Sequence, residues 1–168
     1  MKTFILSTLF LLASFGATLH AQSADARTTK TQIIEASADD VWAIVRDLDG
    51  LADISNFVAR VEYSGPNDVG GQRKCYAPEG QGSYTEAILD FDDAARSYTY
   101  AVKEGVPAAG MVNAFKIVDL GYNKCMLVWT SNYDKFVDNP QMTEEQFGAF
   151  LDAAISDMIA NISAKARA

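Results

Sequence analysis

TEEQFGAFLDAAISDMIANISAK, residues 143–165, is the stretch on which the reading of the fold turns. Thr143 stands as an N-cap with Gln146 three residues on. Phe147, Phe150, Leu151, Ile155, Met158 and Ile162 then recur at three- and four-residue spacing. That pattern predicts one long amphipathic helix opened by a capping box. Its apolar stripe has to be covered, and the six strand-like segments before it, with no helix among them, supply a single sheet to do so. A long helix lying on a strongly curved sheet leaves a hollow between the two. A cavity is expected on these grounds alone, with nothing yet said about its contents.

Working back from the helix, the apolar period drops to two. Phe57–Ser64, Gly71–Ala77, Ser83–Phe91, Ser97–Lys103, Met111–Leu120 and Lys124–Tyr133 alternate, or are rich in β-branched and aromatic residues. The joints between them are turn chemistry: Gly65-Pro66-Asn67, Pro78-Glu79-Gly80, Asp92-Asp93-Ala94, Gly105-Val106-Pro107 and Gly121-Tyr122-Asn123. Joints this short pair consecutive strands antiparallel. Ahead of them Thr28–Ala36 reads as a first strand. Ser37 with Asp40 caps a short helix carrying Val41, Trp42, Val45 and Leu48, and Leu51–Ile54 form a second short turn of helix after Gly50. The expected class is α+β: a seven-stranded curved antiparallel sheet wrapped around a long C-terminal helix, with two short helices after strand 1. Residues 28–166 are expected to form a single domain, since no repeat, heptad run or low-complexity tract divides them.

The start of the chain reads differently. Lys2, an apolar stretch from Phe4 to Ala17 and the small residues that follow predict a secretory signal over residues 1–21, with residues 22–27 as a short flexible lead into the domain. The apolar stretch falls short of the roughly 20 residues a membrane span needs, so the expectation is an exported protein, periplasmic or secreted, without stable membrane insertion. Removing residues 1–21 also removes His20, the single histidine of the 168-residue chain. Ser-His-Asp and Cys-His catalysis, and imidazole-bound zinc, go with it. No metal site or cofactor is implied. The chain carries 14 Lys and Arg against 22 Asp and Glu, a formal charge of −8, which argues against nucleic acid and anionic membrane as partners. Cys75 and Cys125 are the only cysteines. Export permits a disulfide, but their strands are not expected to be neighbours, and two buried free thiols are expected instead.

This order of elements, with the residues at its joints, resembles the helix-grip fold of the START-related superfamily, also called SRPBCC, and within it the polyketide cyclase/dehydrase and lipid-transport group. The carriers are Glu35-Ala36-Ser37-Ala38-Asp39-Asp40-Val41-Trp42 followed by Asp47-Leu48-Asp49-Gly50-Leu51; Gly71 with Arg73 ahead of Glu86; the run from Asp92 to Tyr100; and Val128-Trp129. All are markers of fold, and none is a catalytic signature. The resemblance implies an apolar or aromatic small molecule under the long helix, with chemistry there in a minority of relatives. After the short helices such proteins often carry a tryptophan and a proline, whereas this chain has Ile54-Ser55-Asn56-Phe57.

The candidate site residues follow from the face each strand presents. Arg73 and Glu86 flank the turn around Pro78 on strands that should pair. They meet inside the hollow in one register, and a slip by one residue puts Lys74 opposite Glu86 on the outer face instead. Both registers stay open at this point. Tyr84, Tyr98, Tyr100, Phe115, Trp129 and Tyr133 bring aromatic surface, four of them with a phenolic hydroxyl and one with an indole N–H, and each doubles as ordinary core. Asn113 is the odd amide among Met111, Phe115 and Ile117. Phe150 and Leu151 are the helix's share. Trp42 and Phe147 are expected to pack helix to sheet, and Glu79, Asp90, Asp92 and Asp93 to be solvated turn charge. Three functions fit: binding of a small hydrophobic or aromatic, lipid- or polyketide-like ligand; a cyclase or dehydratase using Glu86 or a tyrosine as general acid/base; or an interaction protein whose hollow is filled by its own side chains. The first is favoured, because no pair of titratable groups can be placed from sequence.

Overall fold

The structure, a computed structural model, describes residues 26–168, so the signal reading of residues 1–21 and most of the lead at 22–27 lie outside it. In chain order the elements are β1 (Thr28–Ile34), α1 (Ala38–Val45), a 3-10 turn (Gly50–Asp53), β2 (Arg60–Ser64) and β3 (Gln72–Tyr76). Then come β4 (Ser83–Asp92), β5 (Ser97–Glu104), β6 (Ala108–Ala109), β7 (Val112–Gly121), β8 (Lys124–Asn132), β9 (Lys135–Phe136) and α2 (Glu144–Lys165). Seven strands form one sheet in the order β1-β8-β7-β5-β4-β3-β2. Every adjacent pair is antiparallel. The first two strands therefore occupy opposite edges, and α1 with the 3-10 turn spans the distance between them. This is the expected α+β helix-grip architecture.

Local chemistry explains the helix starts. Thr143 Oγ1 accepts from Gln146 N at 3.2 Å while Gln146 Oε1 accepts from Thr143 N at 2.8 Å, a complete capping box. Ser37 Oγ likewise accepts from Asp40 N at 3.1 Å. On α1, Val41, Trp42 and Val45 are buried against the sheet, and Trp42 Nε1 donates to Asp93 at 2.9 Å. Asp93 thus has a structural partner as well as solvent, since Arg46 also reaches it at 2.8 Å.

Two features depart from the expected pattern. Between the joint Gly105-Val106-Pro107 and β7 lies β6, which is not among the expected strands and pairs with β9 as a separate two-stranded ribbon. Strands of two residues carry no alternation to read. On α2 the fully buried positions are Phe147, Ile155, Ile159 and Ile162, so Ile159 joins the predicted stripe. Leu151 and Met158 are only partly buried, and Phe150 is 43% exposed. The difference has a cause: part of the helix rests on the sheet, and part overhangs space.

Both cysteines are buried free thiols. Cys75 on β3 and Cys125 on β8 have β4, β5 and β7 between them. At about 4.8 Å per strand that separation far exceeds the about 4.4–6.8 Å between Cα atoms that a disulfide spans.

Candidate functional site

Because alternate residues share a face, the inner surface of the sheet is a grid whose rows run across the strands. One row is aromatic: Trp129 on β8, Phe115 on β7, Tyr98 on β5 and Phe91 on β4. The next is mixed, with Ser131, Asn113, Tyr100 and Ile88. The third passes from Val102 on β5 through Glu86 on β4 and Arg73 on β3 to Tyr63 on β2. Polar groups are thus gathered in the middle of an otherwise apolar face.

A cavity of about 250 Å³ lies between this region and α2. Val102, Met111 and Trp129 from the sheet, with Leu151, Ala154, Ile155 and Met158 from the helix, make its apolar wall. Glu86, Tyr100 and Asn113 are the polar groups set among them. Ser55, Phe57, Gln81, Gly82, Gly105, Val106 and Phe150 also border it, at the loop end. Ser55 and Phe57, two of the four residues Ile54-Ser55-Asn56-Phe57 that follow the short helices, are therefore part of its border. Phe57 meets Phe150 edge-on at 5.6 Å. Asn56 ties the loop to the helix through its N and Nδ2 at 2.8 and 2.6 Å from the Asp157 carboxylate. Gly105 shapes the same end, since its φ is +89° and a Cβ there would strike Ser83 O and Tyr84 Cα.

The register between β3 and β4 sets Arg73 directly opposite Glu86 on the inner face, while Lys74 on the outer face stands opposite Thr85 on β4 and Glu62 on β2. Arg73 is 2% and Glu86 5% exposed. Arg73 Nε donates to Glu86 Oε2, and Nη1 donates to the Leu48 carbonyl at 3.2 Å. The guanidinium carbon also stands 5.0 Å from the centre of the Tyr100 ring. Burial pushes the Glu86 carboxyl above its ordinary value, and Arg73 pulls part of the way back. Burial works against the charge of Arg73 too, but Glu86 together with Tyr98 and Tyr100 keeps it cationic.

Of the sequence candidates, Tyr84, Glu86, Tyr100, Asn113, Trp129, Phe150 and Leu151 line the cavity. Arg73 stands behind Glu86. Tyr98 and Phe115 form the aromatic layer beneath Tyr100, with ring centres 5.7 Å (Tyr98–Tyr100) and 6.4 Å (Phe115–Tyr100) apart. Tyr133 is a correction: β8 ends at Asn132, the alternation with Trp129 ends there, and the ring leaves the cavity wall. It lies edge-on to Phe147 at 5.9 Å and under Arg27, and its hydroxyl donates to Glu144 at 2.9 Å. Val102, which shares the parity of Tyr98 and Tyr100, was readable as wall from that alternation. Phe57 and Val106 sit on loops, where no periodicity marks them.

The tyrosines of the wall are donors and poor bases. Burial, followed by Glu86, raises Tyr84 and Tyr100 well above the usual phenol value. Cys75, next to this region, has its thiol pushed up to about 12 by burial, with Glu86 adding to the effect, so it is not a thiolate nucleophile.

A family model described as polyketide cyclase / dehydrase and lipid transport matches residues 25–166. No curated protein sequence matches the chain. Among solved structures it is similar to the protein XoxI from Bacillus cereus, at 18% identity and a TM-score of 0.72, over 83% of this chain and 94% of that one. It is similar to the Zhui aromatase/cyclase from Streptomyces sp. R1128, at 20% identity and a TM-score of 0.67, over 83% and 92%. Truncated norcoclaurine synthase from Thalictrum flavum aligns at 20% identity and a TM-score of 0.61, over 81% and 89%. At these identities the likeness is one of fold.

Proposed function

The chain belongs to the polyketide cyclase/dehydrase and lipid-transport family, and on that premise we propose that it binds a small hydrophobic or aromatic molecule between the sheet and α2. The observation that carries the reading is the cavity of about 250 Å³, apolar around most of its wall and polar at Glu86, Tyr100 and Asn113. An apolar cavity of about 150 Å³ takes up one benzene, so the part of the occupant held inside has the size of about one or two rings. Binding apolar surface there removes it from water, and the few fixed polar groups orient it. The charged, apolar and small-residue order of residues 1–21 supports an exported site of action.

Catalysis is the second reading, and it rests on Glu86. A carboxylate that lines a cavity and whose proton affinity is raised by burial can serve as a general base on an enolisable substrate. Its ion pair with Arg73 opposes this, because the guanidinium stabilises the ionised form and occupies one of its oxygens.

Native mass spectrometry of protein purified from its own host tests the binding reading. One small molecule per chain, lost on denaturation, is the expected result. A bare chain that also takes up no added naphthalene would mean that the hollow is closed by its own side chains.

A further inference from the structure

We propose that Tyr100 and Asn113 together form a two-donor clasp for one hydrogen-bond-accepting oxygen, so that the cavity selects an uncharged ring compound bearing a carbonyl-type oxygen and rejects carboxylic acids of the same size. The proposal rests on the reading that the hollow holds a ligand. Tyr100 and Asn113 are direct cross-strand partners on β5 and β7, and both line the cavity. Trp129 Nε1 donates to Tyr100 Oη at 3.2 Å, which occupies a lone pair of that oxygen and leaves its proton to be given away. Burial, then Glu86 and Tyr98, hold the phenol well above its ordinary value, so it remains a donor across the physiological range.

Asn113 is 3% exposed, and its Oδ1 is fully buried with no partner among the described residues. The hydroxyl of Ser131, its cross-strand partner on β8, is in the same condition. These two orphans are complementary, one an acceptor and the other a donor, on positions whose Cβ atoms stand about 5 Å apart in such pairs. A hydrogen bond from the Ser131 hydroxyl to Asn113 Oδ1 would satisfy both. With Oδ1 committed toward Ser131, Nδ2 is the edge of the amide left for the cavity, at the position directly across from Tyr100 on the adjacent strand.

The charge of the wall decides against acids. Glu86 lines the cavity from the next row, its partner Arg73 lies behind it, and among the described residues no lysine, arginine or histidine borders the space. A ligand carboxylate would meet a negative charge without an available cation.

Calorimetry with tetralone, tetralin and indane carboxylic acid, three bicyclic probes of similar size, tests the clasp. Wild type is expected to bind tetralone at least about tenfold tighter than tetralin, the size of effect that one or two buried hydrogen bonds supply, and to bind the acid more weakly than either. Asn113→Leu and Tyr100→Phe should each bring the tetralone-to-tetralin ratio toward one while tetralin binding is retained. Tyr100→Phe alone carries the comparison if Asn113→Leu does not fold. A wild-type ratio near one, a ratio that survives in both variants, or acid binding as tight as ketone binding overturns the clasp. Failure of both tetralin and tetralone to bind wild type overturns the cavity reading beneath it.

Discussion

Arg73→Leu is expected to cost about 3 to 5 kcal/mol of folding stability at pH 7, because it leaves a buried carboxylate without its partner. Arg73 and Glu86 are the least exposed charged residues among those described, and the ion pair joins the neighbouring strands β3 and β4. The loss should depend on pH in a definite direction. Burial places the folded Glu86 carboxyl above its unfolded value near 4.5. A carboxyl shifted that way holds its proton more tightly in the folded state. Its contribution to stability is therefore complete below the unfolded value and is lost as pH rises through the folded one. Without Arg73 the upward shift grows, and more of that loss falls at neutral pH. Relative to wild type, Arg73→Leu should regain stability as pH falls from 7 toward 5. The double variant Arg73→Leu/Glu86→Leu should recover most of the deficit, since an apolar pair replaces the ions without leaving a charge behind. Urea unfolding at both pH values measures this. A deficit below about 1 kcal/mol, the scale of an exposed pair, or one that is flat with pH, contradicts a buried pair.

Phe115→Ala should be comparably costly, about 3 to 5 kcal/mol. Phe115 is among the largest fully buried side chains, with the Tyr98 ring centre 5.5 Å away and that of Tyr100 at 6.4 Å. Trp129→Ala should destabilise by a similar amount, yet the two differ in what else they remove. Trp129 lines the cavity and donates to Tyr100, whereas Phe115 lies beneath it. Naphthalene affinity, measured where both variants are fully folded, should fall more for Trp129→Ala than for Phe115→Ala. Equal losses of affinity would mean that wall and core are one surface here.

Much of this was legible in the amino-acid order. The Thr143–Gln146 box and the stripe behind it located α2, and the turn residues divided the sheet into its main strands. Period-two alternation assigned Tyr98, Tyr100, Asn113, Phe115 and Trp129 to one face. What alternation leaves open is register. A slip by one residue exchanges faces, so Arg73 and Lys74 were equal candidates for Glu86 until the ladder between β3 and β4 was known. Alternation also fails where a strand stops, which is why Tyr133 was carried one step past the end of β8. Phe150 belongs to the apolar stripe by spacing, but its exposure depends on where the cavity opens, and spacing along one helix does not encode that. The contributions of Phe57, Gly105 and Val106 come from loops, whose positions follow from the folded sheet rather than from any local period.

An apolar ligand is proposed to occupy the hollow between the sheet and α2. Filling that hollow from within tests this most directly. Ala154 lines the cavity from the helix, and Ala154→Phe would place a ring in the space with little change in helix propensity beyond a few tenths of a kcal/mol. Fluorescence titration with naphthalene should show one site per chain in wild type and none in Ala154→Phe, with the stability of the variant equal to or above that of wild type. Undiminished naphthalene binding by a folded Ala154→Phe protein would contradict the account.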